Sequence, residues 1–238
     1  MDRYVLKFVK LGNMRFISHL DLVRLFKRAV KRAGIKVAYS NGYNPHELIN
    51  IVQPLSLGYE STGEYFEIDT LIPYEPDGLA AMLNVSMPEG IKFISAAQIE
   101  RRPNNLSSAC VSALYEAVLP LKTEDKERLA LDAFLSRDRI TILKKDKKTK
   151  ELKEKDIKDM IYSLRAEDRN ASAVLIMELR CASNETLNPG KLLESLFRYC
   201  GLDTDLDQCR ITRKELFAKD SQGRKVSVFE AYQLQKEC

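Results

Sequence analysis

Apolar and polar positions change period several times along the first part of the chain, and each change marks an element. Tyr4-Val-Leu-Lys-Phe-Val9 alternates imperfectly between apolar and basic residues and is rich in β-formers, which predicts a strand. Gly12-Asn13 predicts a turn, and Met14–Ile17 a continuation of extended chain. From Ser18 the period lengthens. Leu22, Leu25, Phe26, Ala29, Val30 and Ala33 recur at helical spacing, with Arg24, Lys27, Arg28, Lys31 and Arg32 on the other face. Ser18 is a natural N-cap, Asp21 stands three residues on as in a capping box, and Gly34 supplies the stop.

Ile35–Tyr39 reads as a second strand, interrupted by the turn-forming cluster Ser40-Asn-Gly-Tyr-Asn-Pro45. Leu48–Val52 resumes extended structure, and Gly58 to Gly63 is a further turn. Glu64–Asp69 alternates as a strand, Pro76–Leu83 is a short helix and Ile91–Ala96 a last strand. The order β-α-β-β-α-β is that of the ferredoxin-like split βαβ fold. The polar stretch Arg101-Arg-Pro-Asn-Asn105 is the natural boundary, giving an N-terminal domain over 1–100 and a C-terminal one over 106–238. In the latter, strands are predicted over Cys110–Leu119, Ile140–Leu143, Ala173–Leu179 and Cys209–Phe217. Helices are predicted over Lys122–Leu135 and Pro189–Tyr199, and a lysine-rich hairpin over Lys144–Lys158. The expected fold class is α+β, two tandem ferredoxin-like domains.

Charge changes this picture more than composition does. The formal net charge is only +4, yet residues 3–36 hold ten Lys or Arg against one acid, Asp21, while residues 37–91 hold no Lys or Arg. Five like charges on one helix face repel one another, and an ordinary solvated helix intersperses Glu among them. A phosphate-binding face made of Arg15, Arg24, Lys27, Arg28, Lys31 and Arg32 is one explanation. Pairing with the acidic segment that follows is the other. Tyr39 and Tyr43 stand near a loop, where they either stack on bases or simply pack.

No apolar run approaches the ~20 residues needed to span a bilayer. The start, Met-Asp-Arg-Tyr-Val, lacks the basic and apolar regions of a signal peptide, so the expected location is cytoplasmic, with no membrane partner. The five cysteines, Cys110, Cys181, Cys200, Cys209 and Cys238, form no CxxC pair, which argues against a zinc ribbon or a clustered iron–sulfur site. No cofactor is indicated.

The two histidines are the candidate chemistry. His19 falls at the first helical position, where free backbone N–H groups disfavour imidazolium. A neutral imidazole there suits a general base or a ligand. His46 follows Asn44-Pro45, whose rigid ring sets the backbone. For each, a histidine bonded to local backbone is the alternative. Asp21, Glu47, Glu60 and Glu64 are carboxylates that could join them, as two His with one or two carboxylates suit zinc, manganese or iron. No tight metal-binding spacing is present, so no metal ligand is assigned. Asn188-Pro189-Gly190-Lys191 has one glycine and no Walker pattern, and Pro189 explains it as a helix start. The mixed charges of the Lys144–Lys158 hairpin read as a solvated projection.

Phe16-Ile-Ser-His-Leu-Asp-Leu22, Gly42-Tyr-Asn-Pro-His46 and Pro54-Leu-Ser-Leu-Gly-Tyr-Glu-Ser61, followed by Gly63-Glu64-Tyr65, resemble the signature of the radical-SAM-linked proteins. These are uncharacterised bacterial proteins found beside or fused to a radical S-adenosylmethionine enzyme. The resemblance covers residues 3–70 most clearly. One departure is Glu47-Leu48, where the family commonly has Pro-Lys. The resemblance implies partnership with a radical enzyme, which this chain itself cannot be, since it lacks the three closely spaced cysteines of such a cluster. The leading expectation is a non-catalytic RNA-binding accessory subunit in RNA modification. Arg15, Arg24, Lys27, Arg28, Lys31 and Arg32 would hold phosphates, and His19, Asp21, Asn44, His46, Glu60 and Glu64 would shape a small pocket. The alternatives are a metal-independent RNA-processing endoribonuclease using His19 and His46, and a protein-docking scaffold without RNA.

Overall fold

Alternating burial along β1 (Asp2–Lys10) organises the N-terminal half: Tyr4, Leu6 and Phe8 face a helical layer, and Arg3, Lys7 and Val9 are half-buried. The computed structural model describes residues 1–99, 106–121, 123–146, 151–169 and 172–233. The expected linker 101–105, Cys238 and the centre of the lysine-rich hairpin, 147–150, lie outside the described residues. After β1 come α1 (His19–Arg32), β2 (Ile49–Ile51), β3 (Glu60–Thr70), α2 (Pro76–Asn84), β4 (Ile91–Ile99) and α3 (Leu106–Ala109). Then follow β5 (Cys110–Leu119), α4 (Thr123–Glu127), α5 (Leu131–Leu135), β6 (Thr141–Lys145), β7 (Leu152–Asp156), β8 (Ile161–Arg169) and β9 (Ser172–Arg180). The described chain closes with α6 (Pro189–Cys200), β10 (Arg210–Lys219), β11 (Lys225–Ser227) and α7 (Val228–Gln233).

Two compact units result, 1–111 with 213–238, and 112–212. Residues 213–238 cluster with the first unit. In the first unit the strands run β4-β1-β3-β10, with β2 also on β3 and β11 on β10. β1 is antiparallel to both β3 and β4, and β2 is antiparallel to β3. Helices α1 and α2 cover one face. Phe26 of α1 is the centre of that core, its ring 5.0 Å from Phe8, 5.0 Å from Phe66 and 5.1 Å from Phe93.

Three local expectations for this unit are corrected. Met14–Ile17 is not extended; Gly12–Phe16 forms a 3-10 turn, closed by Met14 N–H donating to Leu11 O. Ile35–Tyr39 is not a full strand and makes only isolated bridges, Val37 to Thr70 and Tyr39 to Glu47. Local bonds from Ile35 N to Val30 O and from Val37 N to Ile35 O take up donors that a ladder would need. The expected turn at Gly58 to Gly63 is shorter, because β3 already begins at Glu60. Gly63 lies inside that strand for a packing reason. A Cβ there would stand 2.8 Å from Glu215 Cα and closer still to the Lys214 carbonyl oxygen, so only glycine lets β10 come this near.

In the second unit β9 is antiparallel to β5 on one side and to β8 on the other, and β6 and β7 form a separate hairpin. The single helix expected over Lys122–Leu135 divides into α4 and α5. Arg128 N and Leu129 N bond back to Asp125 O and Lys126 O as a turn, and α5 restarts so that Phe134 can be buried. No helix among the described residues is long and apolar enough to cross a membrane. The structure is therefore a mixed α and β protein with β-sheet in both units.

Candidate functional site

Helix α1 forms where the sequence places it. Ser18 caps it, its Oγ accepting from Asp21 N at 3.1 Å, and the Asp21 carboxylate returns to the Ser18 hydroxyl at 2.8 Å. Leu22, Phe26, Ala29 and Val30 are buried against the sheet. Gly34, at φ +68, takes the left-handed turn that ends the helix. At 100° per residue, Lys27, Lys31, Arg24, Arg28 and Arg32 share an arc of about 140° away from that buried stripe.

The five cations are not equivalent. Arg24 bonds Asp21 at 2.9 Å within the helix, and Lys27 bonds Glu47 at 2.9 Å. Arg28, Lys31 and Arg32 are exposed, and none makes an ion pair among the described residues. The acidic segment therefore supplies one partner to the helix, Glu47, and leaves its C-terminal cations open to solvent. Asp21 is held below the usual carboxylate range, chiefly by its Ser18 hydrogen bond and then by Arg24. Arg15 is half-buried with its guanidinium over the Phe16 ring, 4.7 Å from the centroid.

Beneath the N-terminus of α1 lies a buried charged cluster. Glu64 of β3 and Arg213 of β10 are each almost fully out of solvent and joined twice, with Arg213 Nε donating to Glu64 Oε1 at 2.6 Å. Arg213 also donates to Gln53 O at 2.8 Å and Pro54 O at 3.3 Å. Lys10, 2% exposed at the end of β1, donates to Ile17 O at 3.2 Å and Arg15 O at 3.4 Å, the carbonyls that lead into α1. Burial lowers the Lys10 ammonium, against the pull of Glu64. His19 stands over the same cluster. Burial lowers its imidazole pKa, Glu64 opposes this, and Lys10 adds to the lowering. Its Nδ1 is shielded from solvent and has no hydrogen-bond partner among the described residues. Glu60, also buried, accepts from Gly12 N at 2.9 Å.

His46 belongs elsewhere. Its Nδ1 lies 2.8 Å from Ser40 Oγ, and its backbone N–H donates to the same oxygen, so the Ser40–His46 loop closes on itself. Tyr43 of that loop is fully solvent-facing, Asn44 is exposed, and Tyr39 is half-exposed. His46 is among the residues lining a cavity of about 270 Å³, with Arg3, Asn50, Glu67 and Asp69. Arg3 clasps Asp69 there with contacts of 2.6 and 3.0 Å, and burial raises the Glu67 carboxyl while Asn50 opposes it. On β3, Glu64 and Asp69 are five residues apart, about 16 Å of strand. The structure thus brings His19 together with Glu64 but leaves His46 at the far end of the strands. No three His, Cys, Asp or Glu side chains among the described residues converge as a metal-binding group.

Lys10 and Arg213 were not singled out from sequence as members of this cluster. Lys10 is legible only as one more cation upstream of the helix, and nothing sets Arg213 apart from Arg210, Lys214 and Glu215 in the strand predicted over Cys209–Phe217. Among the cysteines, Cys110 and Cys181 are buried, and burial pushes the Cys209 thiol up to about 11, which keeps it a thiol at neutral pH.

The features so far define a class: a mixed α and β protein in which a basic helix packs on a sheet whose strands β3 and β10 are joined by a buried ion pair. The chain belongs to the DUF2344 family of uncharacterized proteins conserved in bacteria, whose family profile matches residues 3–189. Arg213 lies beyond that span. No curated protein matches the chain.

Proposed function

We propose that this chain is a non-catalytic RNA-binding subunit that acts beside a radical S-adenosylmethionine enzyme in RNA modification. The observation that carries the RNA part is the unpaired row Arg28, Lys31 and Arg32 on the outer face of α1. Helical spacing lets such a row follow the regularly repeated phosphates of a nucleic acid backbone. Exposed Tyr39 and Tyr43 add faces on which unpaired bases could stack. The partner enzyme enters through the motif resemblance of residues 16–22, 42–46 and 54–65 alone.

The antiparallel order β4-β1-β3-β2, with α1 and α2 on one face, supports reading the first unit as ferredoxin-like. In 112–212 the order β5-β9-β8 repeats the placing of β1, β3 and β2, which supports a second copy. Such tandem modules present helices and loops on a rigid sheet, as an RNA-presenting subunit requires.

The test is binding of labelled bulk bacterial transfer RNA to the full chain and to the triple variant Arg28→Glu, Lys31→Glu, Arg32→Glu. The expected result is loss of about two orders of magnitude in affinity at moderate salt, with a salt slope shallower by about three. Unchanged affinity and slope in a folded triple variant would overturn the RNA reading.

A further inference from the structure

Two stretches that look unremarkable in sequence, the lysine-rich hairpin and the Asn188–Lys191 helix start, come together in the 112–212 unit. Between them is a cavity of about 230 Å³. Its floor is apolar: Ile157, Met160 and Leu187 all line it and are each nearly inaccessible to solvent as residues. Four lysines, Lys144, Lys145, Lys155 and Lys191, are among its lining residues, and no acidic residue is.

Outside the lining, two of the four lysines have anionic partners. Lys155 donates to Glu185 at 2.5 Å, and Lys191 reaches both oxygens of Glu194 at 2.8 Å. Lys144 and Lys145 are exposed and make no ion pair among the described residues. Helix α6 also begins at this cavity, with the Asn188 side chain capping Lys191 N, so the positive end of its dipole adds to the field. Like charges held around an apolar floor are mutually repulsive, and a dianion bearing an apolar body relieves both conditions. Ammonium groups serve as point charges for phosphate, which suits a site without arginine. The cavity is smaller than the roughly 300–1,000 Å³ of drug-sized sites, which limits the body to about one ring system.

We propose that this cavity binds a small organic monophosphate, with its phosphate among the four lysines and its apolar or planar body on the Ile157–Met160–Leu187 floor. This site is separate from the RNA-binding face of α1 and does not depend on it.

The experiment is calorimetric titration of the full chain with phenyl phosphate, adenosine 5′-monophosphate and inorganic phosphate, repeated on Lys144→Glu with Lys145→Glu. Both changed residues are exposed, so the variant should keep its fold, as checked by circular dichroism. The expected result is one equivalent of at least one ester bound, about tenfold or more tighter than inorganic phosphate, and weakened about tenfold or more in the double variant. Three results would each overturn the proposal: neither ester binds at millimolar concentration, inorganic phosphate binds as tightly as the esters, or the folded double variant binds unchanged.

Discussion

Glu64 and Arg213, 149 residues apart, form a bidentate ion pair with almost no solvent exposure. The guanidinium is also fixed by two carbonyls of the Gln53–Pro54 segment, so a single side chain ties β10 to β3 and to the loop before it. Desolvation makes such a pair weakly stabilising as a whole, but removing one partner leaves a buried charge. Arg213→Met or Glu64→Leu is expected to cost about 3–5 kcal/mol, and the two changes together distinctly less than the sum. Chemical denaturation of the four proteins measures this, and additive losses would show that the two groups do not act as a pair.

A second expectation concerns Gly63. Its missing side chain sets the approach of β10, and Gly63→Ala would force backbone, not a flexible side chain, to move. The loss should exceed the roughly 1–3 kcal/mol typical of overpacking. The unfolding free energy of the variant checks it, since a loss below about 1 kcal/mol would mean that the strands can part cheaply.

The imidazole of His19 gives a pH signature. Its folded pKa is lowered below the ordinary 6.5 because burial disfavours the charged form. The unfolded chain therefore binds the proton first as pH falls, and stability drops from about pH 6.5 down to the folded pKa. Glu67 acts in the opposite sense, since its raised folded pKa makes its contribution fade as pH rises through that value. Thermal midpoints between pH 5 and pH 8 should fall less on the acid side for His19→Asn than for the parent chain. Identical profiles would remove His19 as the source.

The two kinds of cation on α1 should also separate in binding. Lys27 is held by Glu47, whereas Arg28 makes no ion pair among the described residues, so under the proposed function Arg28→Ala should weaken RNA binding more than Lys27→Ala. The salt slope should fall by about one for Arg28→Ala and by less for Lys27→Ala. Equal effects would mean that the Glu47 contact gives way when RNA binds.

The basic helix was readable almost in full because all its determinants are local: the Ser18 cap, the spacing of Leu22, Phe26, Ala29 and Val30, and Gly34. The 3-10 turn at Gly12–Phe16 was not, since it depends on Leu11 N–H bonding to Gly90 O, far along the chain. Likewise β8, with Arg165, Glu167 and Asp168 interrupting its apolar positions, has too weak an alternation to announce a strand until β9 pairs with it. The division of the expected helix over Lys122–Leu135 falls at the turn through Arg128 and Leu129, beyond which Phe134 is buried, and the sequence carries no glycine or proline there to mark it.

By itself the sequence determined the period of each strong element, the cap and stop of α1, the concentration of cations before residue 37, and the motifs around His19, His46 and Glu64. Local propensity and composition are enough for these. Only the tertiary structure decided which charges are free. It set Lys27 against Glu47 and left Arg28, Lys31 and Arg32 open. It buried Glu64 with Arg213 and placed His19 beside them, and it sent His46 to the other end of the strands. Those outcomes rest on contacts across long stretches of chain, where a charge finds its partner through strand order and register, and neither is written in the neighbouring residues.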